Sequence, residues 1–241
     1  MLRMICALAV LCAACVALPW GGARADAVKL VAFELYPWMY VKDGAPAGSA
    51  VTAVLEATRD LPVARTVEFQ PVPRVLESLA EDSTIVVALG RNAEREALGH
   101  WVSELFEDHT VFATTPDRPP VGSWEEAARL RSIGSSGSGA PERMLKSHGL
   151  TNLEPSNSVR LSAKKLEAGR IDAWFEAESA IRATWKAENM PAGRLVVGPS
   201  MGDVKLWVVA SRKLSPDLVE KLRANLAQMR ADGRYARMFA N

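Results

Sequence analysis

Apolar and polar positions along the chain change period several times, and each change marks an element. Val28 to Glu34 (VKLVAFE) alternates as a strand does, whereas SAVTAVLEATRDL spaces its apolar residues three and four apart, which predicts a helix. TVEFQPV returns to alternation, PRVLESLAED predicts a short helix, and STIVVALG is a continuous apolar run of the kind found in a strand covered on both faces. NAEREALGHWVSELFE has a mixed pattern and HTVFATT reads as a further strand. Strands that alternate with helices in this way imply an α/β fold with a largely parallel sheet.

PDRPPVGSW then interrupts with three prolines, which marks a boundary between structural units. The rhythm restarts after it. SWEEAARL is a short helix, RSIG a strand, APERMLKSHG a helix closed by Gly149, and NLEP a brief strand. SVRLSAKKLEAGR places Val159, Ala163 and Leu166 on one helical face and stops at Gly169. IDAWFEA is a strand and ESAIRATWKAENM a helix, and GRLVVG and DVKLWVVAS are two further strands. The last helix opens with Ser215 as cap and Pro216 at its first position, burying Leu218, Leu222, Leu226 and Met229. No internal repeat is evident.

The first 25 residues do not share this pattern. Arg3 precedes an apolar run from Ile5 to Leu18, and Ala23-Arg24-Ala25 forms a small-residue cleavage signal, so residues 1–25 are read as a secretory peptide removed after Ala25. The run is short for a membrane span and is broken by Pro19, Gly21 and Gly22. Cys15 follows two alanines, but Cys12 stands where a lipoprotein signal carries leucine. All three cysteines, Cys6, Cys12 and Cys15, fall inside this segment, which leaves the mature chain without thiol chemistry or a disulfide. Cleavage also takes away Arg3 and Arg24 and no acid, moving the formal charge from +1 to −1. That balance gives no electrostatic basis for nucleic-acid binding.

Four segments in order carry a family resemblance. NAEREALGHWVSELF looks like T-P-E-R-x-x-x-x-x-F-S, SIGSSGSGAPERML is similar to V-G-V-x-x-G-S-x-x-x-x-x-L, KKLEAGRIDAWF to L-x-x-G-x-x-D-A, and LAQMRADGRYARMF to L-x-x-D-G-x-Y-x-x-I. Together they make residues 28–241 resemble the type II periplasmic solute-binding proteins, in the branch that binds polar amino acids (bacterial extracellular solute-binding protein family 3). The resemblance implies two Rossmann-like α/β lobes joined by two hinge strands. Lobe 1 would hold 26–113 with 204–241, and lobe 2 would hold 114–203. It further implies a periplasmic, monomeric protein that captures a small carboxylate-bearing solute, an amino acid or an analogue, for an inner-membrane ABC-type permease, without metal or cofactor. Two alternatives stay open: an enzyme of the cyclohexadienyl (prephenate/arogenate) dehydratase type, and a stand-alone sensory ligand-binding protein.

The resemblance also nominates residues. Arg95 aligns with the arginine that grips the ligand carboxylate, a task suited to the planar guanidinium fork; the competing reading is a surface arginine between Glu94 and Glu96, and Arg91 could serve instead. Ser138 and Gly139 fall where a loop ahead of a helix offers a hydroxyl and amides to the same carboxylate. The spacing from Gly134 to Gly139 also matches a phosphate loop, but Ala140 and Pro141 occupy the positions that need lysine and serine or threonine. Tyr36 and Trp38 follow the first strand, where one of them would line the cleft. The family's ammonium-binding aspartate, five residues after the aspartate of D-A, is here Ala177; Glu176 or Glu178 could replace it, or could be a solvated acid at a helix start. Arg74 matches an arginine common in short members, with no role assigned. His100, His109 and His148 show no zinc-binding spacing, and no G-x-S-x-G elbow occurs.

Overall fold

A computed structural model describes residues 28–81, 83–137 and 140–240; the segment read as a secretory peptide lies outside the described residues. Its centre is one eight-stranded sheet in the order β4-β1-β5-β10-β6-β9-β7-β8. The strands are β1 (Val28–Ala32), β4 (Val63–Phe69), β5 (Thr84–Gly90), β6 (Gly99–Thr114), β7 (Ile133–Ser136), β8 (Leu153–Ser156), β9 (Ala173–Ala177) and β10 (Val196–Ser211). β1, β4 and β5 run parallel, as do β7, β8 and β9, while the two long strands β6 and β10 pair antiparallel between these sets. The fold is therefore α/β, as the alternation of periods predicts, but the sheet is mixed: its two outer sets are parallel, and every ladder made by β6 or β10 is antiparallel.

Helices cover both faces. α1 (Ser49–Ala57) and α7 (Pro216–Ala231) pack on one side of the first half of the sheet, and α2 (Val72–Glu81) packs on the other. On the second half, α5 (Val159–Glu167) and α6 (Glu178–Ala187) lie on one side, with α3 (Trp124–Ala128) and α4 (Ala140–Ser147) on the other. Each half has its own apolar interior. Leu30, Ile85, Val208 and Leu222 belong to the first, and Phe112, Ile133, Trp174 and Phe175 to the second. Phe112 and Phe175 meet with ring centroids 4.5 Å apart. Along β6, buried apolar side chains stop at Phe106 and resume at Val111, so the connecting segment between the halves is the least apolar part of the strand.

Several elements differ from the sequence reading. GRLVVG and DVKLWVVAS belong to one continuous strand, β10, and HTVFATT is the end of β6; register shifts between Val197 and Ser200 and between Ser200 and Gly202 let the polar stretch bend without leaving the ladder. The final helix is two, α7 and α8 (Arg234–Phe239), divided at Gly233 with φ 77°. A small hairpin of β2 (Tyr40–Lys42) and β3 (Ala45–Ala47) turns at Asp43 and Gly44, both at positive φ.

Candidate functional site

In open α/β sheets, ligands bind beyond the carboxyl ends of the strands, where the direction of winding changes. Here two such ends face each other. Gly90, at the end of β5, is level with Leu206 of β10 and through it with Phe106 of β6. Ala177, at the end of β9, is level with Thr110 of β6 and arrives from the opposite direction. A crevice about 13 Å wide, four residues of strand at roughly 3.3 Å each, therefore lies between the two sets of carboxyl ends. Its floor is made by Glu107, Asp108 and His109 on β6 and by Asp203, Val204 and Lys205 opposite them.

The first wall carries the two arginines, and their surroundings differ. Asn92 caps the 3₁₀ turn Ala93–Leu98 by accepting from the Arg95 amide (3.0 Å), which fixes the backbone that carries this side chain. The Arg95 guanidinium is half-buried and donates from Nη1 to the Gly90 carbonyl (3.0 Å), which aims it at the end of β5; no acid pairs with it among the described residues. Arg91 is already engaged: Glu96 holds it in an ion pair, and its guanidinium lies 5.2 Å from the Trp101 ring centre and 4.7 Å from that of Trp207. Arg95 thus meets an incoming anion without a competing acid, whereas one edge of Arg91 is already taken by Glu96. Arg74 is exposed and paired with Glu77 at 2.8 Å.

On the same half, the carboxyl ends of β1 and β4 enclose a depression of about 380 Å³ lined by Phe33, Glu34, Phe69, Gln70, Pro71 and Val72. A larger hollow, about 530 Å³ between Glu142 and Pro155, opens beside Gly149 and Leu153 at the amino end of β8, away from the crevice. Tyr36 is half-buried, edge-on to Tyr40 at 5.0 Å, and its phenol is pushed up by burial, then by Tyr40 and by the charge of Glu188 from the second half. Trp38 is occupied by the protein: its ring packs on Phe106 (4.6 Å) and Phe239 (5.7 Å), and its indole N–H donates to Asp108 Oδ2 at 3.0 Å.

On the second wall, Ser138 and Gly139 lie outside the described residues, between Gly137, whose amide donates to the Ser156 carbonyl (2.7 Å), and the start of α4 at Ala140. Glu176 is 7% exposed on β9; it accepts from the Ser136 hydroxyl and from the Ala177 amide (3.2 Å). Burial, the larger influence, holds its carboxyl above the ordinary value of 4.5 despite these hydrogen bonds, and the nearby Asp108 charge adds to the rise. The acid that precedes it in D-A, Asp172, serves the scaffold: 2% exposed, it accepts from the Arg131 amide (2.7 Å) and pairs with the Arg131 and Arg118 guanidiniums at 2.9 and 2.7 Å. Glu178 pairs with Arg182 one turn along α6.

The raised Glu176 pKa has a consequence for stability. The folded chain keeps this proton over a pH range in which the unfolded chain has lost it, so stability falls as pH rises from about 4.5 through the higher folded value. Glu176→Gln, which imitates the neutral acid, should therefore gain in melting temperature relative to wild type between pH 4 and pH 8. Melts at the two pH values check this; a constant difference between the proteins would contradict it.

Sequence reasoning missed Asp108, the buried acid of the floor. Its partners are 70 and 71 residues away in Trp38 and Ser179, so no local pattern signals it. It also missed the pair across the two long strands, where His109 Nδ1 and Asp203 Oδ1 are 2.7 Å apart and the Ser200 hydroxyl donates to the same oxygen at 2.6 Å. The hydrogen bond to Asp203 raises the imidazole pKa, while Ser200 first and then His109 lower that of Asp203.

No protein-family model and no curated protein matches the chain. Solved structures do. A mutant of ArgBP from T. maritima superposes with a TM-score of 0.69 at 15% identity, over 88% of this chain and 93% of that one. A histidine kinase sensor domain with similarity to periplasmic binding proteins gives 0.70 at 16%, over 88% and 94%. The ancestral amino acid-binding protein AncCDT-1, a precursor of cyclohexadienyl dehydratase, gives 0.67 at 18%, over 89% and 94%. At these identities the likeness shows the fold, which is that of the type II periplasmic binding proteins. No helix among the described residues is long and apolar enough to cross a membrane.

Proposed function

We propose that the chain is a periplasmic solute-binding protein that captures a small carboxylate-bearing solute, an amino acid or close analogue, for delivery to an inner-membrane ABC-type permease. The observation that carries this reading is the Arg95 guanidinium, aimed at the end of β5 beside the crevice and unpaired with any acid among the described residues. Arg95 takes the carboxylate from the first half. Ser138 and Gly139 meet the same carboxylate from the second, aided by the positive end of α4. The halves act as lobes that meet in the polar stretches of the two long strands, at 107–110 on β6 and 202–205 on β10, rather than at 113/114, because Val111, Phe112 and Ala113 pack in the second interior. A guest that touches both favours the closed arrangement by its differential affinity alone. Tyr36 lines the cleft, and Glu176 is the acid that would meet an ammonium group, whose positive charge would favour the ionised carboxylate against the effect of burial.

Thermal shift with the common amino acids and matched amine-free carboxylates tests this. A ligand at about 100 times its Kd stabilises by roughly 2.7 kcal/mol, and a chain of this size gains roughly 2–4 °C per kcal/mol, so about 5–10 °C is expected for at least one compound. No shift with any of them would refute the carboxylate reading. The likeness to AncCDT-1 keeps the dehydratase reading in play. Loss of prephenate or arogenate on incubation with purified protein would favour it over pure binding.

A further inference from the structure

We propose that Asp108 is the bolt of the hinge: one buried carboxylate on β6 that takes a hydrogen bond from each half and holds the two together across the crevice floor. Asp108 is 5% exposed. Its Oδ2 accepts from the indole of Trp38, in the first half, at 3.0 Å, and from the hydroxyl of Ser179, in the second, at 2.5 Å. Oδ1 accepts from the His109 amide at 2.9 Å and the Ser179 amide at 3.4 Å. Because both halves donate to the same oxygen, the indole nitrogen and the serine hydroxyl can be no farther apart than those two bonds laid end to end.

Each arm is anchored in its own half. Trp38 is packed between β6 and the C-terminal helix by Phe106 and Phe239, and Phe239 is in turn stacked on Tyr235 at 4.5 Å. Ser179 belongs to the first turn of α6, where the methyl side chain of the N-cap residue, Ala177, cannot accept from the open amides. A carboxylate there is favoured by the helix dipole, and Asp108 supplies it from another strand. The floor segment lacks the buried apolar packing found on either side of it, so nothing apolar on β6 holds the halves in register between Phe106 and Val111. Rotation about this segment carries Ser179 away from Trp38, and one arm must break. A hydrogen bond to a charged group is strong enough to change an open-to-closed ratio about tenfold or more.

Small-angle X-ray scattering of the ligand-free protein tests the bolt, with folding checked by circular dichroism. Ser179→Ala removes one arm, Trp38→Phe removes the other while keeping a ring against Phe106, and Ser179→Thr retains the hydroxyl. Each of the first two should raise the radius of gyration by about 1 Å over the roughly 18 Å expected of a compact chain of this length. The double variant should add nothing further, since one broken arm already frees the halves, and Ser179→Thr should match wild type. Loss of a merely structural contact would lower the melting temperature without this expansion. Single-variant scattering superimposable on wild type overturns the proposal, as does an expansion that Ser179→Thr shares. If Trp38→Phe does not fold, the two Ser179 variants decide alone. No ligand is used, so failure here leaves the binding proposal standing.

Discussion

Arg95→Ala should weaken binding of the stabilising carboxylate by at least tenfold in calorimetry and leave the melting temperature of the ligand-free protein nearly unchanged. The guanidinium offers parallel charge-assisted hydrogen bonds, each worth roughly 1.5–3 kcal/mol, and tenfold corresponds to about 1.4 kcal/mol. Its only side-chain hydrogen bond among the described residues goes to the Gly90 carbonyl, at the half-exposed end of a strand, so little stability depends on it. Arg91→Ala should behave in the opposite sense. It removes a cation held by Glu96 and two tryptophan rings, costing stability and sparing affinity. Ser138→Ala should weaken binding less than Arg95→Ala, because backbone amides remain in that loop. If Arg91→Ala abolishes binding and Arg95→Ala does not, the roles of the two arginines are exchanged.

Gly48→Ala should be among the most destabilising single substitutions in the chain, losing more than about 3 kcal/mol in urea unfolding, or roughly 10 °C. Gly48 has φ 108° and ψ 155°, a region open in practice only to glycine. A methyl group there would also sit 2.2 Å from the Trp38 carbonyl oxygen and 2.8 Å from the Met39 nitrogen, both backbone atoms that cannot swing aside. The Trp38 carbonyl accepts from the Ala50 amide at 3.0 Å, so relief must displace either the start of α1 or the loop that carries Trp38. α1 buries Ala50, Val51, Ala53, Val54 and Ala57 and cannot shift without opening the first core. Gly149→Ala is the control. Its φ of 75° is also left-handed, but nothing lies within 4 Å of the added carbon, so its cost should be about 1 kcal/mol. Equal losses at the two sites would show that backbone conformation, and not the collision, governs the effect.

The elements that could be read from sequence are those whose packing follows a local rule. β1 and β5 are apolar nearly throughout because helices cover both sides, Leu30 and Ile85 facing α1 and α7 and Val31 and Val86 facing α2, with Lys29 the exposed exception in β1. The hairpin at Asp43-Gly44 escaped notice because its strands are three residues each and mostly exposed, although the dipeptide itself signals a turn. β10 reads as two strands because its middle, GPSMGD, carries two glycines and a proline and turns only Met201 toward the second core. The site divides along the same line. Arg95 and the loop at Ser138 are nominated by motif resemblance, which carries positional information that hydropathy lacks. Asp108 was not, because an acid within a strand reads as solvent-facing until the fold brings Trp38 and Ser179 to it. Glu176 and Glu178 are two residues apart and could not be told apart from sequence. In the structure the first is buried against Ser136 and the second is tied to Arg182.

The most direct measurement is a crystal structure of the protein with whichever carboxylate gives the largest thermal shift. The carboxylate should lie in the crevice, its oxygens about 2.7–2.9 Å from the Arg95 guanidinium, with the loop of Ser138 and Gly139 closing on it from the other side. A carboxylate found instead in the outer hollow beside Glu142 and Lys146, or held by Arg91 with Arg95 turned to solvent, would contradict it.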